Sequence, residues 1–269
     1  MEICEIKQEY VTKYTPSLLD PISREKQRKT LGIISENLPF KGFDVWNAYE
    51  FTWLNHKGKP EVALLQLRVP AESSHLIESK SLKLYLGSFS NTSFISRADL
   101  IRTLETDLTN AAQAPISATF FIPKQIERDG IRILSGTNLD LQDVEIDEYL
   151  WNPDLLITGD SETCSETVYT HLFKSLCPMT GQPDFASILV KYEGQRMDHE
   201  GLLKYLVSFR EHPEFAEQVT ERIYVDIMDR CKPGRLSVAA YYTRRGGIDI
   251  NAYRSLDEEL VDEARLWRQ

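Results

Sequence analysis

The sequence has no apolar run approaching ~18 residues, so no helix is expected to span a membrane. Its first ten residues, Met1 to Tyr10, carry charge from the second position and no apolar stretch, so no secretory signal is expected there. Only four cysteines occur in 269 residues. Cys4, Cys164, Cys177 and Cys231 show no CxxC spacing, which argues against a disulfide scaffold and a zinc knuckle. The five histidines (His56, His75, His171, His199 and His212) form no ligand-spaced cluster with cysteine, so no metal is expected. Neither GxGxxG nor GxxxxGK[ST] is present, so neither a Rossmann nor a P-loop nucleotide site is offered. Positive charge is also short: 31 Lys and Arg against 41 Asp and Glu leave a net charge of −10. Coating nucleic acid needs a basic face, so no direct nucleic acid partner is expected. A reducing, cytoplasmic setting follows as the default expectation.

What the sequence does contain is a repeat. SLKLYLGSF (Ser81 to Phe89) aligns with GLLKYLVSF (Gly201 to Phe209) at an offset of 120, with five of nine positions identical. LNHKGKPE (Leu54 to Glu61) aligns with CPMTGQPD (Cys177 to Asp184) at an offset of 123. Here Gly58/Gly181 and Pro60/Pro183 are identical, and Glu61 faces Asp184. Two matches in the same order at nearly the same offset indicate two similar halves.

Each half reads as strand, two helices, strand. EVALLQLRV and FASILVKYE follow the G-x-P turns as strands. Ser96 with Asp99 resembles a capping box, and Leu100, Leu104 and Leu108 give its helix an apolar stripe. In the second half Pro213 suits a first helical turn, and Phe215, Val219, Ile223 and Ile227 recur every four residues. ISATFFIP and LSVAAYYTR return as strands. The expected class is α+β: two tandem modules, 1–150 and 151–269, each an antiparallel sheet with two helices on one face. The join is placed at Trp151 to Thr167, where turn residues break all periodicity.

The halves are unequal where chemistry would sit. The alignment puts Leu54 in the place of Cys177, so only the second half carries a nucleophile. Conversely Glu78-Ser-Lys-Ser-Leu-Lys83 faces Asp198-His-Glu-Gly-Leu-Leu203, so only the first half has Lys80 and Lys83, spaced to share a helix face. A lone cysteine is often a small buried hydrophobe. Cys177 instead sits in a turn with Asp184 seven positions on, where a thiolate would attack and an acid would donate a proton. A close carboxylate raises a thiol's pKa, so the pair works only if Asp184 is protonated or a cation lies nearer the sulfur. Glu217 and Glu78 each admit two readings: a carboxylate favoured by a helix dipole, or a buried acceptor for the N–H edge of a planar base. Arg244-Arg245-Gly246-Gly247 reads as a solvated turn or a phosphate grip.

Taken together, Glu78-Ser79-Lys80-Ser81-Leu82-Lys83-Leu84-Tyr85, Cys177 with Asp184, and Tyr242 to Asn251 resemble the NADPH-dependent 7-cyano-7-deazaguanine reductases of the queuosine pathway, in their long two-module form. The resemblance covers nearly the whole chain. It implies the tunnelling fold, a homodimer and a nitrile reductase. Cys177 would form a covalent thioimide with the nitrile carbon, and Asp184 would donate the proton. Glu78 and Glu217 would hold the pyrimidine edge of 7-cyano-7-deazaguanine, with Ile77, Ser79 and Ala216 beside them. Ser79, Lys80, Lys83, Arg245 and Gly246 would bind NADPH. One position departs: the family has His-Glu where this chain has Ala216-Glu217, and His212 lies about one turn earlier. Two rival readings stand beside it. One is a cyclohydrolase- or pterin-type enzyme on the same fold, disfavoured by the lack of a metal-ligand cluster. The other is a non-catalytic purine-binding module.

Overall fold

The computed structural model describes residues 10–34, 37–121, 130–257 and 265–269. The first half runs β1 (Pro21–Ser23), α1 (Glu25–Thr30), β2 (Lys41–Ala48), β3 (Thr52–Leu54), β4 (Pro60–Val62), β5 (Leu64–Pro70), β6 (His75–Ile77), α2 (Ser79–Gly87), α3 (Arg97–Ala112) and β7 (Ser117–Phe121). The second runs β8 (Thr137–Asn138), β9 (Thr158–Leu176), β10 (Pro183–Met197), α4 (His199–Val207), α5 (Ala216–Cys231), β11 (Arg235–Tyr242) and β12 (Ile248–Ser255). The chain is of mixed α+β class, and no helix among the described residues is long and apolar enough to cross a membrane.

Separate sheets were expected in the two halves; one eight-stranded sheet is found, in the order β7-β5-β2-β12-β11-β10-β9-β8. The halves join where β2 pairs antiparallel with β12, Trp46 opposite Ile250 and Asp44 opposite Ala252. That pairing removes two open edges at once. Only the short β8 lies parallel to its neighbour. Directly opposed residues share a face, so the register puts Asp44, Trp46, Ile250, Ala252 and Ala240 on one side. On that side α2 and α3 cover Trp46, Leu65, Leu67 and Val69, and α4 and α5 cover Ile188, Val190, Val238 and Ala240. The other face carries Val45, Ala239, Tyr241 and Tyr253, closed over by Leu134 and Leu266.

The two helix pairs are held in matching ways. Leu100, Leu104, Leu108 and Ala112 line one long helix; Val219, Ile223, Ile227 and Cys231 line the other, all buried at the expected spacing. Both end on a left-handed residue, Gln113 and Lys232. Tyr85 donates to Asp107 at 2.7 Å, and Tyr205 donates to Asp226 at 2.6 Å. Each carboxylate takes a second donor, Tyr14 in one half and Trp151 Nε1 in the other. Ser96 accepts from the Asp99 N–H, as the capping pattern predicts.

Three local expectations change. Pro213 lies outside α5, in an extended segment bridged to Leu176, because the helix starts only at Ala216. The supposed join contains the first ten residues of β9, whose long pairing with β10 overrides the turn-forming composition of Gly159 to Thr167. Residues 137–146 also pack on the second half's core through Leu139, Val144 and Ile146.

Candidate active site

The β9–β10 hairpin builds the reactive corner. Pro183 faces Leu176 across the ladder, so Cys177 sits immediately past one strand end and Asp184 enters the other, opposite Ser175. The turn closes with Cys177 N–H donating to Gln182 O at 2.9 Å and Gly181 N–H to Cys177 O at 2.8 Å. Gly181 adopts φ 68°, a conformation that favours glycine. The first half repeats this turn with Asn55 N–H donating to Lys59 O and Gly58 N–H to Asn55 O. Leu54 there exchanges hydrogen bonds with Thr92 and Phe94, as Leu176 does with His212 and Glu214. Leu54 therefore corresponds to Leu176, and Asn55, not Leu54, stands in the cysteine's place. The second turn is one residue longer, which shifts an ungapped alignment by one. The first half still has no thiol there.

A second hairpin brings the cation. Gly246 and Gly247 both have positive φ, 62° and 75°, as the two-residue turn inside the antiparallel Arg245–Ile248 bridge requires. A side chain at Gly247 would collide with the Glu50 carboxyl at 2.4 Å. Arg245, just before them, reaches Asp184 at 3.0 Å. The approach is oblique, since Arg245 Nη1 makes no aligned hydrogen bond. Arg244 points elsewhere, over the Tyr49 ring at 4.5 Å and to Gln269 O, because adjacent residues on extended backbone face opposite sides. The pair thus supplies one cation to the site, not two.

One narrow pocket of about 40 Å³ gathers Ile77, Ser79, Lys83, Cys177, Asp184, Ala216, Glu217 and Arg245. Those residues come from β6, α2, both hairpins and the first turn of α5, and lie up to 168 positions apart in sequence. A wider cleft of about 300 Å³ adjoins it, sharing Lys83 and Ile248 and adding Gly246, Gly247, Glu50 and Ser90. Two expected residues stand back. The Glu78 carboxylate caps α2, accepting from the Lys80 and Ser81 N–H groups at 2.9 and 2.7 Å. Lys80 is exposed and lines neither cavity. Sequence reasoning missed Trp46 and Phe215 as pocket wall, since their apolar character gave no hint of it, and assigned no role to Tyr242, Thr243 and Ile250 within the segment that carries the resemblance.

The electrostatics resolve the conflict between an acid and a nearby thiol. Burial pushes the Cys177 thiol up, but hydrogen bonds from the Thr180 hydroxyl, the Met179 and Thr180 N–H groups and the Arg245 guanidinium outweigh it, so the thiol lies below its usual range. Burial raises Asp184 despite Arg245 and Lys83. Burial and the neighbouring Arg245 lower the Lys83 ammonium. Glu217, almost fully buried and without a side-chain partner among the resolved hydrogen bonds, is pushed up to about 7 by burial and by Asp44. A low thiol, a raised acid and a buried carboxyl with its charge disfavoured in one pocket suit covalent attack, proton donation and capture of N–H donors. His212 does not stand in for an imidazole at Ala216. Its Nε2 lies 3.1 Å from Glu214, its ring packs on Phe209, and it lines no part of the pocket.

Family models match this architecture in two parts. The N-terminal model of the nitrile reductase 7-cyano-7-deazaguanine-reductase matches residues 10–120, and a model for QueF-like proteins matches residues 183–260. Among curated proteins, the NADPH-dependent 7-cyano-7-deazaguanine reductase of Hydrogenovibrio crunogenus is 49% identical over 261 residues, covering 97% of this chain and 94% of the relative. The chain belongs to the 7-cyano-7-deazaguanine reductase family. Proteins of the same name from Coxiella burnetii and Dechloromonas aromatica are 48% and 50% identical over 262 residues, covering 97% of this chain and 94% and 93% of theirs. Membership reaches across both halves, as the expected resemblance does.

Proposed function

We propose that this chain is an NADPH-dependent nitrile reductase that converts 7-cyano-7-deazaguanine to 7-aminomethyl-7-deazaguanine, a step of queuosine biosynthesis. The names of relatives aligned over 97% of the chain support the reaction. The observation that carries the site assignment is the single pocket holding Cys177, Asp184 and Glu217 with Lys83 and Arg245.

Cys177 attacks the nitrile carbon. A C–S bond forms, one C–N π bond breaks, and the nitrogen takes a proton from Asp184, giving a thioimide. A protonated thioimide is a better hydride acceptor than a nitrile, so the covalent route divides a hard step. NADPH, when bound, supplies one hydride to the thioimide and a second to the imine left after the C–S bond breaks. The net change is uptake of two hydrides and two protons, with Cys177 regenerated. Asp184 gives its proton at a nitrogen that becomes more basic, and its burial favours holding that proton beforehand. Glu217 grips the pyrimidine N–H edge, with Ile77, Ser79 and Ala216 forming the wall. Glu78 would join the grip through the acceptor sites its two capping bonds leave open.

The cleft beside the pocket fits a phosphorylated dinucleotide. Lys83, shared by the two cavities, and Arg245, in the wall of the narrow pocket, supply positive charge, and the Gly246–Gly247 turn keeps the backbone open beside them. A side chain at Gly246 would press on the Lys83 stem at 3.2 Å. Ser79, Lys83, Arg245 and Gly246 would hold NADPH, and Lys80, exposed on α2 outside both cavities, would meet a part of it that projects from the cleft. Two tandem tunnelling-fold modules meeting near residue 150 are our reading of the architecture, supported by the matched Tyr85–Asp107 and Tyr205–Asp226 bonds. A cytoplasmic homodimer completes it. NADPH consumption of two per amine product tests the reaction; one per product, or none, would overturn it.

A further inference from the structure

Beneath Glu217 lies a buried cluster of charged side chains that the reaction chemistry does not use. Arg24 donates to Asp44 at 2.6 Å and to Ser73 at 3.1 Å, and approaches Glu221 at 3.4 Å. Arg28 donates to Glu221 at 2.8 and 3.0 Å and also to Ala71 O. Arg254 bridges both acids, donating to Asp44 at 2.8 Å and Glu221 at 2.9 Å. All five side chains are at most 2% exposed. They come from the segment around α1, from β2, from β12 and from α5, so the cluster spans the join between the halves.

Its charge does not cancel. Three arginines, which stay protonated in proteins, face two carboxylates, leaving one positive charge in the interior. A buried net charge is costly unless a partner balances it. The nearest candidate is one helical turn from Glu221: Glu217, on the same face of α5. A small, largely apolar cavity has both Arg24 and Glu217 in its wall, with Trp46, Ile77 and Leu82 among the apolar residues and no other charged side chain. Ionised Glu217 makes the set of six neutral.

We propose that the Arg24–Arg28–Arg254–Asp44–Glu221 cluster is the counter-charge for Glu217, and that Arg24 is a positioning residue for base recognition that never touches the substrate. This rests on the reading of Glu217 as the acid that grips the base. A planar base sealing the pocket removes the last water from Glu217. The positive charge below, fixed in place, offsets part of the cost of keeping the carboxylate ionised and able to accept two N–H donors, although burial still leaves its pKa raised. Other charged and titratable groups facing Glu217 are Tyr242 on β11 and, across the pocket, Lys83, Cys177, Asp184 and Arg245. On the cluster side, Arg24 and Arg254 lower the Glu217 pKa, and Asp44 raises it. The two signs give a test that misfolding cannot mimic.

The experiment titrates the full chain by infrared spectroscopy, following the protonated-carboxyl band that disappears in Glu217→Gln. Arg24→Gln should raise the midpoint by about one unit or more. Arg24→Lys should restore most of it, and Asp44→Asn should lower it. Binding of 7-cyano-7-deazaguanine should weaken with falling pH, at a correspondingly higher pH in Arg24→Gln. Unchanged midpoints in folded variants, or shifts of one sign in both Arg24→Gln and Asp44→Asn, would overturn the proposal. Should Arg24→Gln not fold, Asp44→Asn with Arg254→Gln gives the same opposed pair. If the midpoints move as stated while Glu217→Gln binds the base as tightly as the parent chain, the counter-charge stands and the base-gripping reading falls.

Discussion

Asp184 and Arg245 meet at 3.0 Å although they arrive on different hairpins, and the same guanidinium contributes to holding the Cys177 thiol below its usual range. One cation therefore faces both the nucleophile and the acid. Together with the Thr180 and Met179 hydrogen bonds it outweighs the burial of the thiol, whereas at Asp184 burial wins.

Replacing that cation should separate the two effects. In Arg245→Gln the Cys177 thiol loses a donor and its pKa rises, while Asp184 rises further. Alkylation of Cys177 by iodoacetamide, read by mass across a pH series, should shift to higher pH and slow by about tenfold near neutrality. An unchanged profile would remove Arg245 from thiol activation.

Asp184→Asn should do the opposite to the thiol and still disable reduction. Removing a carboxyl near the sulfur frees Arg245 for it, so alkylation should hold or quicken. Single-turnover reduction should fall by roughly 10²-fold or more, the usual scale for losing a positioned proton donor. Parallel loss of both activities would mean Asp184 supports the turn rather than the chemistry.

At Ala216 the pocket wall carries a methyl group where the family resemblance expects an imidazole. Ala216→His places a ring with proton-exchanging nitrogens in the same wall as Cys177 and Asp184. Single-turnover hydride transfer should rise and the base should bind more tightly. Equal or slower transfer, measured as NADPH oxidation in a rapid mix, counts against this reading.

Glu217 ties stability to pH. Its folded pKa, about 7, lies above the ordinary 4.5, so the folded state favours the protonated form. The associated stability is present in full below about pH 4.5 and is lost as pH rises through 7. Glu217→Gln should therefore be more stable than the parent at pH 8.5, by on the order of 2 to 3 kcal/mol, with little difference at pH 5. Urea midpoints at the two pH values measure this.

Much of this architecture was legible because it rests on local rules. The stripes of Leu100 to Ala112 and Val219 to Cys231, the Ser96 cap and the G-x-P hairpins follow from short-range periodicity and turn chemistry. Cys177, Asp184 and Glu217 also stood out, since each is a reactive type near a turn or helix start. The central strands did not. KGFDVWNA and IDINAYRS alternate poorly because both faces are buried and their polar residues are satisfied within the sheet, Asn47 by Asp249 on the neighbouring strand and Asn251 by Asp249 two positions earlier on its own. SREKQRKT reads as a solvated charge cluster, yet Arg24 and Arg28 are buried because Glu221 lies nearly 200 residues away. Long-range pairing of that kind leaves no local signature. The one-residue difference between the Asn55 and Cys177 turns was hidden for the same reason.

Covalent capture by Cys177 is the central claim, and intact mass tests it most directly. The protein is mixed with 7-cyano-7-deazaguanine in the absence of NADPH. The expected result is a mass increase of one substrate per chain, located on Cys177 and absent in Cys177→Ala. An unmodified mass at saturating nitrile would contradict the covalent mechanism.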